Sequence, residues 1–208
     1  MSVAIIDYGV GNLRSVEKAF HAGGVEAVVS SEESVLRAAD KLVLPGVGAF
    51  RACMEALTER GFDRLVRERV AEGTPLLGVC VGMQILFEES EEFGTTSGLG
   101  FLRGRVRRFP EGLRVPQVGW NQVEWKSEHA LSEGISDRTF FYFVHSFFCE
   151  ADEAASVVGR TEYGITYASV VARGNVCGVQ FHPEKSQAAG LRLLKNFAEA
   201  EANQNRER

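Results

Sequence analysis

Pro75-Leu76-Leu77-Gly78-Val79-Cys80-Val81-Gly82-Met83-Gln84 is the stretch on which the reading of this fold turns. It opens with a short apolar run, Pro75 to Val79, that reads as a buried strand. A cysteine follows between glycines, and from Gly82 to Ser90 the apolar residues adopt helical spacing. A strand that turns straight into a helix around a nucleophilic side chain is the nucleophile elbow, here with cysteine in place of serine. Such an elbow sits at the carboxyl edge of a sheet, so the segment predicts an α/β fold.

Toward the N-terminus the same alternation repeats. Val3 to Ile6 reads as a strand, and Leu13 to Ala22 as a helix with Leu13, Val16, Ala19 and Phe20 on one stripe. Glu26 to Val29 is the next strand, and Ser30 with Glu33 forms a capping box opening a helix through Ala39. Lys41 to Leu44 is a third strand, and the helical pattern from Phe50 to Glu72 breaks near Gly61. Repetition of this kind means a mostly parallel central sheet with helices on both faces. After Gly94 the pieces Leu102 to Phe109, Val115 to Trp125, Thr139 to Cys149, Ala155 to Gly159, Ile165 to Ala172 and Val176 to Phe181 predict an antiparallel strand extension in the C-terminal half. A last amphipathic helix is expected over Gln187 to Ala200, with Leu191, Leu194 and Phe197 inward. No linker or repeat divides the chain, which reads as one domain over 1–201 with a polar tail at 202–208.

Composition excludes several classes. The 208 residues are 45% hydrophobic and 25% charged, the balance of a globular domain rather than a disordered one. A net charge of −5 without a Lys/Arg block argues against nucleic acid or an anionic membrane as partner. No apolar run approaches the length of a membrane span. The four cysteines form no CxxC pair, Val3-Ala4-Ile5-Ile6 follows Ser2 without a basic leader, and no Asn-x-Ser/Thr occurs. These features predict a reducing cytoplasm, free thiols, and no metal or cofactor.

Two segments, Gly9-Val10-Gly11-Asn12-Leu13-Arg14 and Gly46-Val47-Gly48-Ala49-Phe50-Arg51, begin like a dinucleotide fingerprint but carry Arg at the third glycine, which blocks close helix packing. The stronger signal is Cys80, whose position at a helix N-terminus favours the thiolate and aims the Val81 N–H at an oxyanion. His182-Pro183-Glu184 ends an apolar strand and puts an imidazole and a carboxylate on one side of extended chain, as base and orienter. Pro45-Gly46-Val47-Gly48 allows close backbone approach, and by itself fits a second oxyanion donor and an ordinary strand-to-helix turn alike. His145 reads as a hydrogen-bonded strand histidine, His21 and His129 as solvated, Arg103, Arg105 and Arg107 as a wet strand face, and Cys53, Cys149 and Cys177 as inert. The run Phe140 to Phe143 and Gly119-Trp120-Asn121 read as core, with an exposed Trp pointing to a partner surface.

Together Gly78-Val79-Cys80-Val81-Gly82-Met83-Gln84 and His182-Pro183-Glu184 resemble the triad (class I) glutamine amidotransferases, which have a flavodoxin-like sheet. Within that group the chain is similar to the glutaminase subunits of imidazole glycerol phosphate synthase. The likeness runs through Ile6-Asp7-Tyr8-Gly9-Val10-Gly11-Asn12-Leu13, Leu44-Pro45-Gly46-Val47-Gly48-Ala49-Phe50, Gly119-Trp120-Asn121, Tyr142-Phe143-Val144-His145-Ser146 and Gly178 to Ser186. It implies that Cys80 attacks glutamine, His182 protonates the departing ammonia and Glu184 orients His182. It implies an oxyanion hole of Val81 and Gly46-Val47-Gly48, and a glutamine pocket of Gln84, Glu92, Ser146 and Phe147. It also implies a heterodimer with a (β/α)₈ cyclase in histidine biosynthesis, with Asn12, Trp120 and Asn121 near the interface. Pro116-Gln117-Val118 and Phe147-Phe148 depart from the family's usual His-Met and tyrosine-led pairs. Since a lone glutaminase wastes glutamine, the oxyanion loop is expected to be misaligned until the partner engages. Rival readings are the glutaminase of another synthase such as anthranilate synthase, a stand-alone cysteine hydrolase, and a scaffold that keeps the elbow as architecture.

Overall fold

The computed structural model describes residues 2–200. The polar tail expected at 202–208 lies outside them. Five strands form the parallel centre: β1 (Val3–Ile6), β2 (Ala27–Ser30), β3 (Lys41–Gly46), β4 (Leu76–Cys80) and, from far along the chain, Val176–Val179. Between them run α1 (Leu13–Ala22), α2 (Glu33–Ala38), α3 (Phe50–Glu59) and α4 (Phe62–Ala71), with the break near Gly61 as expected. Four of them are buried along their whole length, as parallel strands covered on two faces must be, while the edge strand β2 leaves Val28 exposed. The last helix, α6 (Gln187–Glu199), touches α1, while α2 and α3 touch α4, the two groups that right-handed crossovers place on opposite faces.

Beyond β4 the chain makes a single helical turn, α5 (Val81–Gln84), and enters β5 (Phe87–Ser90). This corrects the helix expected over 82–90. The carbonyls of Ile85, Leu86 and Phe87 accept N–H groups from Leu99, Phe101, Leu102 and Gly100 instead of from their own next turn. A buried apolar run satisfies helical and strand spacing alike, and tertiary pairing decides between them.

The remaining strands are β6 (Thr96–Ser97), β7 (Leu102–Arg108), β8 (Gln117–Trp125), β9 (Thr139–His145), β10 (Phe147–Ala151), β11 (Val157–Glu162), β12 (Thr166–Arg173) and β13 (Val176–Val179). Across the sheet the order is β2-β1-β3-β4-β13-β12-β10-β7-β5-β6, antiparallel from β13 to β7, with β11 and β8 branching off and β9 paired to β8. The parallel pairing of β5 with β7 is the exception within this extension. The single strand expected over 139–149 divides at Ser146, since β9 pairs with β8 while β10 pairs with β7 and β12.

Two local expectations are corrected. Ser30 does not cap α2: it stays paired with Ile6 as the end of β2, and its hydroxyl accepts from the Glu32 N–H. His129 is half-buried rather than solvated, its Nδ1 accepting the Leu131 N–H to cap the 3₁₀ turn Ala130–Ser132. His21 is exposed, and Arg103, Arg105 and Arg107 form the expected wet face, paired with Glu91, Glu150 and Glu153. Buried Lys41 was not anticipated. Its ammonium donates to the carbonyls of Phe197 and Ala200, fastening the C-terminal end of α6 to β3. No helix among the described residues is long and apolar enough to cross a membrane.

Candidate active site

The decisive pairing is β4 with β13, in register from Leu76↔Val176 to Val79↔Val179. Residues that leave the carboxyl ends of two adjacent parallel strands emerge side by side, in the crevice where open α/β sheets hold their ligands. Cys80 ends β4, and His182 follows β13 by three residues.

At Cys80 the backbone has φ 57° and ψ −114°, a left-handed conformation that a side chain adopts at a cost of about 1–3 kcal/mol. Packing enforces it. A Cβ on Gly82 would overlap the Leu44 carbonyl, and one on Gly46 would lie 2.5 Å from the Gly82 nitrogen. The end of β3 is thus laid directly against the elbow, and only glycine permits the approach. Behind the sulfur stands one helical turn, so the dipole expected of a full helix is reduced to the local N–H groups of α5.

His182 is 4% exposed, and its Nδ1 lies 2.8 Å from Glu184 Oε1. Burial disfavours the imidazolium, but hydrogen bonds to Cys80 and Glu184 outweigh it and push the His182 pKa up to about 10. The other carboxylate oxygen, Oε2, is buried without a hydrogen-bond partner among the described residues, leaving the imidazole as the group that compensates Glu184. The Tyr142 carbonyl accepts the His182 N–H, and Ser186 Oγ donates to the His182 carbonyl, so Pro183–Lys185 is held from both sides as a 3₁₀ turn, which brings Glu184 back to His182 in place of the extended chain expected there.

A cavity of about 530 Å³ opens over these groups. It is lined by Cys80 and His182, by Val47, Gly48 and Val81, and by Gln84, Glu92, Ser146 and Phe147. Gly46 and Glu184 do not line it: Gly46 packs against Val81 and Gly82, and Glu184 against the far nitrogen of His182. Glu92 has a use not foreseen: its Oε2 accepts the Phe50 N–H at 2.7 Å, tying the cavity rim to the start of α3, just past the loop at Gly48. That loop is held from beneath, Tyr8 donating to the Pro45 carbonyl and Cys53 to the Val47 carbonyl. Burial raises the thiols of Cys53, Cys149 and Cys177, to about 11 for Cys53 and about 12 for Cys177, which keeps them protonated. His145 is buried between the Phe147 carbonyl and Tyr167, and burial pushes it down to about 4, a neutral strand histidine.

Sequence reasoning missed Arg108, Phe93 and Lys185 at the cavity rim, and Gln180 beneath it. Arg108 lies beside the wet face of β7 and carries no spacing signal, while Gln180 looked like one more residue of a strand. The expected interface residues lie away from the cavity. Asn12 is exposed at the start of α1, and Trp120 is 46% exposed against the edge of Tyr142. Asn121 is half-buried, donating to the Glu162 carbonyl. Within the aromatic run Phe141 and Phe143 are core, whereas Phe140 is 52% exposed and, with Val118 and Trp120, leaves an apolar face on β8 and β9. Among the described residues no group of three His, Cys, Asp or Glu is placed to hold a metal ion.

A cysteine on a strained turn, facing a histidine–carboxylate pair across a crevice at the sheet edge, defines a class of thiol-dependent acyl-transfer proteins. The sequence profile of the family described as glutamine amidotransferase class-I matches residues 4–200, and this chain belongs to that family. It is 50% identical to the imidazole glycerol phosphate synthase subunit HisH of Symbiobacterium thermophilum, over 94% of this chain and 92% of that one. It is 51% identical to the protein of the same name from Methylococcus capsulatus, over 94% and 95% of the two chains. A solved structure described as a glutamine amidotransferase superimposes with a TM-score of 0.76 at 25% identity, covering 95% of this chain and 97% of the other.

Proposed function

We infer that this chain is the glutaminase subunit of imidazole glycerol phosphate synthase, releasing ammonia from glutamine for histidine biosynthesis. The observation that carries the chemistry is the cavity shared by Cys80 and His182, with the His182 Nδ1 held 2.8 Å from Glu184 Oε1. Cys80 Sγ attacks the side-chain carboxamide carbon, and the carbonyl electrons move onto oxygen. The N–H groups of Val81 and of the loop Gly46-Val47-Gly48 receive that oxyanion. Collapse expels the amine, which takes the proton of the His182 imidazolium and leaves as ammonia. A water, deprotonated by His182, then attacks the thioester, and glutamate departs with Cys80 regenerated. Glu184 orients the imidazole throughout.

The cavity rim suits an amino acid. Glu92 provides a negative charge for the α-amino group, and Arg108 and Lys185 offer positive charge for the α-carboxylate. Gln84, Ser146 and Phe147 line the pocket between. Ammonia would pass to a (β/α)₈ cyclase seated on the apolar face of Val118, Trp120 and Phe140, with Asn12 beside it, in the cytoplasm. The names of the curated relatives favour this synthase over anthranilate synthase or a stand-alone hydrolase.

The test is glutamine hydrolysis with and without a cyclase of this synthase and its ribonucleotide ligand. Glutamate release that rises when both are present, and disappears in Cys80→Ala, is the expected result. Equal activity with and without the cyclase overturns the partner, and full activity of Cys80→Ala overturns the mechanism.

A further inference from the structure

We propose that Gln180 is a positioning residue of this site, an inference that rests on the glutaminase reading: it orients the Gln84 carboxamide and donates a hydrogen bond to Cys80. Gln180 lies between β13 and His182, fully buried, with its backbone N–H tied to the Ser169 carbonyl. Its carboxamide oxygen accepts from Gln84 Nε2 at 3.1 Å, and its carboxamide nitrogen reaches Cys80 Sγ at 4.0 Å. Gln84 Nε2 donates its second proton to the Phe147 carbonyl, also at 3.1 Å.

Counting donors and acceptors gives the consequence. A primary carboxamide has two N–H donors and one oxygen. Both donors of Gln84 are spent on Phe147 and Gln180, so the group turned to the cavity that Gln84 lines is its oxygen, which has no partner among the described residues. An oxygen can only accept. It receives a hydrogen bond from an N–H of the substrate, whether of the carboxamide or of the α-amino group. A site whose acceptor is fixed rejects the analogue that lacks the matching donor. If Gln180 presented its nitrogen instead, Gln84 would turn over and offer N–H groups, which match no N–H of the substrate.

The other end of Gln180 faces the nucleophile. At 4.0 Å the contact with a thiol is long, and it shortens as charge gathers on sulfur, since hydrogen bonds to ionised acceptors are shorter and stronger. One buried amide thus sets two things at once: an acceptor for the substrate and a donor for the thiolate.

Gln180→Met tests this, because it keeps volume and removes donor and acceptor together. Two readouts are taken: the pH dependence of Cys80 alkylation by iodoacetamide, and, with the cyclase and its ligand bound, the glutamine KM. Loss of one hydrogen bond at each end moves the alkylation midpoint upward by about half a unit to one unit and raises KM roughly three- to tenfold. Gln180→Glu retains the oxygen that Gln84 donates to, so it keeps KM within about twofold of wild type, a rescue that simple disruption of the core does not give. An unmoved alkylation profile together with an unmoved KM in Gln180→Met overturns the proposal. If Gln180→Met does not fold, Gln180→Glu decides: a KM that rises about threefold or more there overturns it. Alkylation needs neither glutamine nor the cyclase, so wild-type protein that releases no glutamate refutes the glutaminase reading and leaves the Gln180–Cys80 contact to be judged by its profile.

Discussion

Replacing Glu184 by Gln removes a charge while keeping a carbonyl oxygen that can accept from His182 Nδ1–H, so it isolates the electrostatic part of the pair. In the native protein the imidazole is pushed from 6.5 up to about 10, with burial working against the charged form and Cys80 and Glu184 for it. Both side chains of the pair are nearly inaccessible, 5% and 1% exposed, so water does little to screen them. A hydrogen bond to a charged group is worth about 1.5–3 kcal/mol, which at about 1.4 kcal/mol per pH unit lowers the His182 midpoint by roughly one to two units. The measurement is a titration of the imidazole nitrogens by NMR, with His182→Asn identifying the resonance among the four histidines. Stability should follow. Because the folded value lies above the unfolded one, the pair stabilises the fold fully below about 6.5 and loses that contribution as pH rises through about 10. The stability gap between wild type and Glu184→Gln, measured in urea, therefore closes over that window. Glutamine turnover falls by roughly 10²–10⁴-fold, the usual worth of positioned acid–base catalysis. A His182 midpoint that stays in place, or moves up, refutes the account of what holds the proton on this ring.

Three further outcomes follow from the packing. Gly82→Ala drives a methyl group into the Leu44 carbonyl and should cost roughly 3 kcal/mol or more in urea unfolding; a wild-type midpoint would show that the elbow tolerates a side chain. Trp120→Ala should weaken cyclase binding by about 2 kcal/mol, read by calorimetry, with the melting temperature unchanged because the ring is half-exposed; unaltered affinity removes this face from the interface. Lys41→Met leaves the carbonyls of Phe197 and Ala200 without their ammonium donor and should cost about 1–3 kcal/mol, with faster hydrogen exchange confined to the last turn of α6; unchanged exchange there means Lys41 does not fasten the helix.

Much of the architecture was legible because strand–helix alternation leaves a periodic trace. The runs at 3–6, 41–44 and 75–79 each became a buried strand, and the break at Gly61 appeared where turn chemistry put it. The stretch 82–90 was misread for a physical reason: the spacing of Met83, Leu86 and Phe87 suits a helical stripe as well as the buried run they form, and the carbonyls of residues 85–87 are claimed by the N–H groups of residues 99–102. Ser30 was misread because strand pairing with Ile6 outcompeted a local cap.

For the site the division is similar. Gly78-Val79-Cys80-Val81-Gly82 and His182-Pro183-Glu184 were visible as motifs, since a turn this tight and a pair spaced by two residues need particular side chains at fixed positions along the chain. What the order of residues does not contain is the insertion of β13 beside β4, which brings position 182 to position 80 across about a hundred residues. Nor does it show that Gln180 turns inward to meet Gln84 and Cys80, or that Glu92 reaches the start of α3. Short-range geometry is written in neighbouring residues. The meeting of distant ones depends on which strand lies next to which, and hydrogen bonding across the whole sheet settles that.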